Sequence, residues 1–218
     1  RQVGKTESIR RFGFANYDSV IEINFVEEPK YKSIIEDGYS AASIVRNISL
    51  LDPAKRFVEG KTLLFFDELQ EFPEIATALK FFKQDARFDV ICSGSMLGIN
   101  YQRIESNSVG HKTDFEMRSL DFEEFLWAKG YDDSIVDEML THLIEARPFT
   151  NVQHKALMDV FLDYCALGGM PDVVRSYIDR NTFEGSLQTQ RQLVLDYRED
   201  IQKYAEGLDK GRILNVFN

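Results

Sequence analysis

Apolar residues change their spacing partway along the chain: short strand-like runs alternate with helical patterns in the first half, and helical spacing dominates the second. Val20-Ile21-Glu22-Ile23-Asn24-Phe25 alternates apolar and polar positions, which predicts a strand, and Pro29 ends it. Leu63 to Phe66 is continuous, apolar and short, which suits a strand buried on both faces of a parallel sheet. Asp89 to Ser93 is the next strand, and Phe115-Glu116-Met117-Arg118-Ser119-Leu120 would supply a further one. Between them, a helix is expected from Thr6 to about Phe12 with Gly13 as its stop. Tyr31 to Val58 reads as helical in pieces, and Glu74 to Gln84, behind Pro73, carries Ile75, Ala78, Leu79 and Phe82 along one face. Strands alternating with helices imply a parallel, covered sheet that binds ligands at the C-terminal ends of its strands.

Beyond Leu120 the pattern is helical. Asp121 with Glu124 three positions later is a capping box, and the short helix behind it ends at Gly130. Further helices are expected over about Asp133 to Ala146, Val152 to Leu167, Pro171 to Ile178 and Leu187 to Ala205. Gly168-Gly169-Met170-Pro171 reads as a tight corner between two of them. The expected organisation is an α/β core over residues 1–120 and a helical bundle over 121–218.

With 44% hydrophobic residues the chain can build a globular core. Its net charge of −10 argues against a surface that clamps nucleic acid or anionic membrane through bulk charge. Cys92 and Cys165 form neither a disulfide framework nor a metal spacing, and Cys92 falls in an apolar run where it should pack rather than react. His111, His142 and His154 lack a metal-ligand pattern and read as structural or surface residues. Without a signal peptide or a membrane-length apolar stretch, a reducing cytoplasm is the expected setting.

Candidate chemistry lies at the strand ends. Arg1-Gln2-Val3-Gly4-Lys5-Thr6 matches the back half of the phosphate-loop pattern G-x-x-x-x-G-K-[ST], whose first glycine would stand just before residue 1. Helix-terminal amides hold phosphates, a lysine reaches the outer oxygens and a hydroxyl ligates magnesium. A Gly-Lys-Thr string alone also occurs in solvated turns. Here a second motif follows in the required order: Lys61 to Phe66 is a strand-length run ending in Asp67-Glu68. Asp67 with Thr6 would hold magnesium, and Glu68 would polarise an attacking water. Gly4, Lys5, Thr6 and Glu7 make up the expected cofactor-binding set, and Glu68, Ser95 and Lys112 the expected catalytic set. Ser93-Gly94-Ser95 would bring a hydroxyl toward the γ-phosphate, or form a simple turn of small residues. Arg103, Lys112 and Arg118 are candidate cations for transition-state charge, with a surface role as the alternative.

Five segments together resemble a large prokaryotic family of AAA-superfamily ATPases with a conserved C-terminal domain of unknown function. They are Arg1 to Thr6, Leu64-Phe65-Phe66-Asp67-Glu68-Leu69-Gln70, Ser93-Gly94-Ser95-Met96-Leu97-Gly98, Leu120-Asp121-Phe122-Glu123-Glu124-Phe125-Leu126 and Gly168-Gly169-Met170-Pro171. The resemblance implies a P-loop NTPase sheet in which the Ser93 strand separates the loop strand from the Asp67-Glu68 strand. It implies a helical lid for the second half, and a C-terminal domain of nuclease-like fold beginning soon after Asn218. Relatives often carry Arg or Lys directly after the glycine at Gly110. His111 stands there instead, with Lys112 as the available substitute.

The expected function is ATP binding with Mg2+ and, in the intact protein, hydrolysis to ADP and phosphate. Alternatives are a nucleotide-dependent regulatory or interaction module with little turnover, and a phosphoryl transferase, against which Glu68 argues. Expected partners are ATP, the protein's own C-terminal domain, and a protein partner or second copy. Without the loop's first strand, the Cys92 strand is expected to be exposed on one side and the Phe115 to Leu120 strand to lose its neighbour. The 218-residue chain is therefore expected to bind Mg·ATP poorly or not at all, and low-micromolar affinity in a calorimetric titration would overturn that expectation.

Overall fold

The computed structural model describes residues 2–95, 110–204 and 211. The chain divides into two compact units, Val3–Met117 and Arg118–Asn218, with Gln2 grouped with the second.

In the first unit, helix α1 (Lys5–Asn16) leads into strand β1 (Ser19–Asn24), a 3-10 turn (Pro29–Ser33) and helix α2 (Ala41–Leu51). Strand β2 (Thr62–Asp67), two 3-10 turns (Leu69–Glu71 and Pro73–Ala78), helix α3 (Leu79–Asp85) and strand β3 (Asp89–Cys92) follow. Among the described residues the strands form one parallel sheet in the order β1-β2-β3. Every residue of β2 is buried, as its unbroken apolar run predicts for a central strand.

Strand alternation divides the sheet into two faces. Ile21 and Ile23 of β1 stand beside Leu64 and Phe66 of β2 and join a core with Ile44 and Ile48 of α2, Ile75, Ala78 and Phe82. Phe25 stacks on Phe66 at 5.5 Å between ring centroids and meets Phe72 edge-on at 5.1 Å. The opposite face, carrying Val20 beside Leu63, receives α1 at Gly13.

Gly13 corrects the sequence reading. Instead of stopping the helix it is buried within it, and α1 runs on to Asn16. An ideal Cβ on Gly13 would lie 2.8 Å from Cγ2 of Val20 and 3.0 Å from Cδ2 of Leu63. The glycine is there for close helix-to-sheet contact. The Phe115 to Leu120 segment is a second correction. It forms no strand, and Phe115 is 89% exposed. A strand exists only where a neighbour completes its hydrogen-bond ladder, and no described strand pairs with this segment. The helix expected over Glu74 to Gln84 begins as the 3-10 turn at Pro73 and becomes α-helical only at Leu79.

The second unit contains α4 (Phe122–Ala128), α5 (Asp133–Ile144), α6 (Asn151–Leu167), α7 (Pro171–Arg180) and α8 (Phe183–Tyr204). Asp121 accepts from the Glu124 N–H while the Glu124 side chain accepts from the Asp121 N–H, so the capping box forms in full. Phe125, Leu126, Val160, Leu167, Val173, Val174, Tyr177 and Leu193 form its core. Lys129 donates to Asp163 at 3.1 Å and Tyr177 donates to the same carboxylate at 2.6 Å, so the charges in this core are paired. His142 is buried, with Nδ1 3.0 Å from the Arg147 carbonyl, and His111 and His154 are exposed. No helix among the described residues is long and apolar enough to cross a membrane.

Filling the gap at Gly13 should lever α1 away from the sheet. Gly13→Leu is expected to destabilise the first unit by about 1–3 kcal/mol, the usual cost of overpacking, seen as a lower urea midpoint at unchanged m-value. An unchanged midpoint would show that the helix and sheet do not meet there.

Candidate functional site

Helix α1 begins without a side-chain cap. Gly4 is its N-cap residue at φ 87°, ψ 13°, a left-handed conformation that glycine adopts without steric cost. The first-turn amides of a twelve-residue helix are therefore available at a positive dipole end, and Lys5 and Thr6 occupy that turn. The Lys5 side chain makes no hydrogen bond or ion pair among the described residues. Glu7 turns toward Arg11, which donates to it at 2.7 Å. One turn on, Arg10 grips Glu22 through two bonds of 2.7 Å, joining α1 to β1. That partner raises the Arg10 pKa.

Sixty-one positions after Thr6, the end of β2 presents Asp67, only 4% exposed. Oδ2 of Asp67 accepts from the Thr6 hydroxyl at 2.9 Å. Its Oδ1 accepts from the Ser93 hydroxyl and from the Glu68 backbone N–H, the latter at 3.0 Å. Thr6 and Asp67 thus set two hard oxygen donors side by side, the donor type that magnesium prefers. This arrangement and the uncapped, lysine-bearing helix start fit a magnesium-bound nucleotide phosphate.

Glu68 stands next to Asp67 in the left-handed region at φ 56°, ψ 46°. Its carboxylate accepts from Nε2 of Gln70. Strand β3 leads to Ser93, Gly94 and Ser95. The Ser93 N–H bonds to the Phe66 carbonyl at 2.8 Å, and the Leu69 N–H bonds to the Ser93 carbonyl at 2.9 Å. These ties carry the β2 to β3 pairing past the strand ends, to the level of the two acids.

The structure therefore gathers Thr6, Asp67, Glu68 and the Ser93 to Ser95 turn, with Lys5 beside Thr6 on α1. Ser93 faces the Asp67 carboxylate, a contact that sequence spacing cannot supply because it depends on register between two strands. Gln70 was also missed as a contributor, since its reach depends on the turn taken by Glu68. Lys112 is held by both oxygens of Asp114, at 2.9 and 2.8 Å. Arg118 is exposed, and Arg103 and Met96 to Gly98 lie outside the described residues. Cys92 packs against the core as expected, and burial pushes its thiol up to about 12 against the opposing charge of Lys112. No group of His, Cys, Asp and Glu forms a metal cluster among the described residues.

Neither the curated proteins nor the solved structures yield a match to the chain. The family model described as an AAA domain matches residues 1–126, which span the Gly4-Lys5-Thr6 segment, the sheet with its acidic edge and the start of the helical unit. With more than half of its length inside that match, the chain belongs to the AAA domain family and is an AAA-type nucleotide-binding protein.

Proposed function

We propose that this AAA domain binds Mg·ATP and, in the intact protein, hydrolyses it to ADP and phosphate. The observation that carries the reading is the 2.9 Å bond from the Thr6 hydroxyl to Asp67, which joins the loop motif to the acidic strand end. Lys5 and the α1 amides would bind the phosphates, with Gly4 setting the turn and Glu7 beside it. Thr6 and Asp67 would hold magnesium, which neutralises charge on the phosphoryl oxygens when bound. Glu68 takes a proton as the water oxygen attacks the γ-phosphorus and the bond to the bridging oxygen of ADP breaks. Ser95 would offer its hydroxyl to the reacting oxygens, and Lys112 would neutralise developing charge after leaving Asp114. In this reading residues 1–120 are the catalytic core in a cytoplasmic protein, residues 121–218 are the lid, and the nucleotide state is passed to a C-terminal domain or a second protein.

The test uses the full-length protein. Glu68→Gln should lower phosphate release by about 10²- to 10⁴-fold, the usual contribution of a general base, while leaving nucleotide affinity nearly unchanged. Lys5→Ala removes a charged hydrogen bond of about 1.5–3 kcal/mol, so calorimetry should show binding weakened by roughly ten- to a hundredfold. Unaltered rates in both variants would place the site elsewhere. Tight binding with no phosphate release from the unsubstituted protein would instead mark a nucleotide-dependent interaction module.

A further inference from the structure

The turn after β2 holds a polar side chain that phosphate binding and proton transfer leave unused. Gln70 lies in the 3-10 turn Leu69–Glu71 and is only 9% exposed. A buried primary amide needs partners at both ends, and Gln70 has them. Its Nε2 donates to Oε2 of Glu68, and its Oε1 accepts from the Ser95 backbone N–H at 3.1 Å. These partners decide which way the amide points. A backbone N–H only donates and an ionised carboxylate only accepts, so a flipped amide would face like groups at both ends. One side chain thus spans the acid at the end of β2 and the backbone leaving β3.

Two other features favour this bridge. Glu68 occupies the left-handed region, which is strained for a residue with a Cβ and persists only where its surroundings enforce it. The Glu68 N–H is fixed on Asp67 and its carboxylate is fixed by Gln70, so both ends of the strained residue are held. Across the bridge stands Gly94, where an ideal Cβ would lie 2.7 Å from Oε1 of Gln70 and 3.3 Å from the Leu69 nitrogen. The Gln70 amide fills the space that a side chain at position 94 would need.

We propose that Gln70 is a positioning residue for Glu68: it aims the carboxylate and couples that aim to the backbone leaving β3. The inference rests on the hydrolytic reading of Glu68. A carboxylate on a freely turning stem would meet the attacking water in the productive orientation for only a fraction of the time, which lowers turnover without touching phosphate binding.

Gln70→Glu is the discriminating variant. It keeps an acceptor for the Ser95 N–H and replaces the donor to Glu68 with a like charge. In the full-length protein, kcat should fall about ten- to a hundredfold, as for other supporting partners of a site, while KM for Mg·ATP stays within about twofold. The Ser95 amide should remain protected from hydrogen exchange. Gly94→Ala reaches the same bridge from the far side, and should lower kcat similarly while speeding exchange of the Gln70 side-chain amide protons. Wild-type kcat in Gln70→Glu would overturn the proposal. Amide exchange in the unsubstituted 218-residue chain, measured without nucleotide, separates the bridge from the chemistry. Slow exchange of the Gln70 side-chain amide supports the bridge even if no phosphate is released, in which case only the hydrolytic reading falls. Exchange as fast as that of an exposed glutamine overturns the bridge whatever the turnover.

Discussion

The buried carboxylate of Asp67 is the constraint from which the first unit is organised. An ionised group removed from water costs several kcal/mol unless donors replace its hydration, and Asp67 has three: the Thr6 hydroxyl, the Ser93 hydroxyl and the Glu68 N–H. Each comes from a different place in the chain. Thr6 requires α1 to start beside β2, Ser93 requires β3 to pair in its observed register, and Glu68 supplies the N–H next along the chain. Satisfying one carboxylate therefore fixes the relative positions of the helix start and the two strand ends. The apolar strand behind it makes the demand strict. With Thr62 to Phe66 buried, Asp67 cannot back out to solvent without drawing the centre of the sheet with it.

The strain falls on Glu68, the residue at which the chain leaves the strand. An extended Glu68 would carry the chain on along the strand direction, whereas its left-handed conformation turns the chain away directly after the acid. The turn also sets Leu69 against the Ser93 carbonyl and brings Gln70 within reach of both Glu68 and Ser95. Local strain of about a kilocalorie is thus offset by several bonds formed beyond it, a pattern typical of functional edges.

Elements whose signal is local were legible in the sequence. The alternation of β1, the unbroken run of β2 and the capping box at Asp121 each depend on a few neighbouring residues, and each forms. What could not be read depends on a partner distant in the chain. Gly13 looks like a helix stop until Val20 and Leu63 are seen against it. Phe115 to Leu120 carries the apolar alternation of a strand, yet without a neighbouring ladder that segment takes an irregular path. The acidic pair of Asp67 and Glu68 was legible because it ends an apolar run, whereas the meeting of Ser93 and Asp67 was hidden in strand register.

The division of roles among neighbouring polar residues follows from the same geometry. Thr6 and Ser93 approach Asp67 through opposite carboxylate oxygens, so neither can replace the other, and loss of Ser93 would leave Oδ1 with a single donor in a buried position. Glu68 is less buried and looks outward, with Gln70 as its partner. One acid is therefore held rigidly by fixed donors, and its neighbour is held by a side-chain amide whose other end is tied to β3. A rigid acid suits a group that must keep a constant distance from the hydroxyl of Thr6. In the proposed hydrolytic reading, an acid steered through a second side chain suits one whose aim at water must be set, and the backbone leaving β3 takes part in setting it.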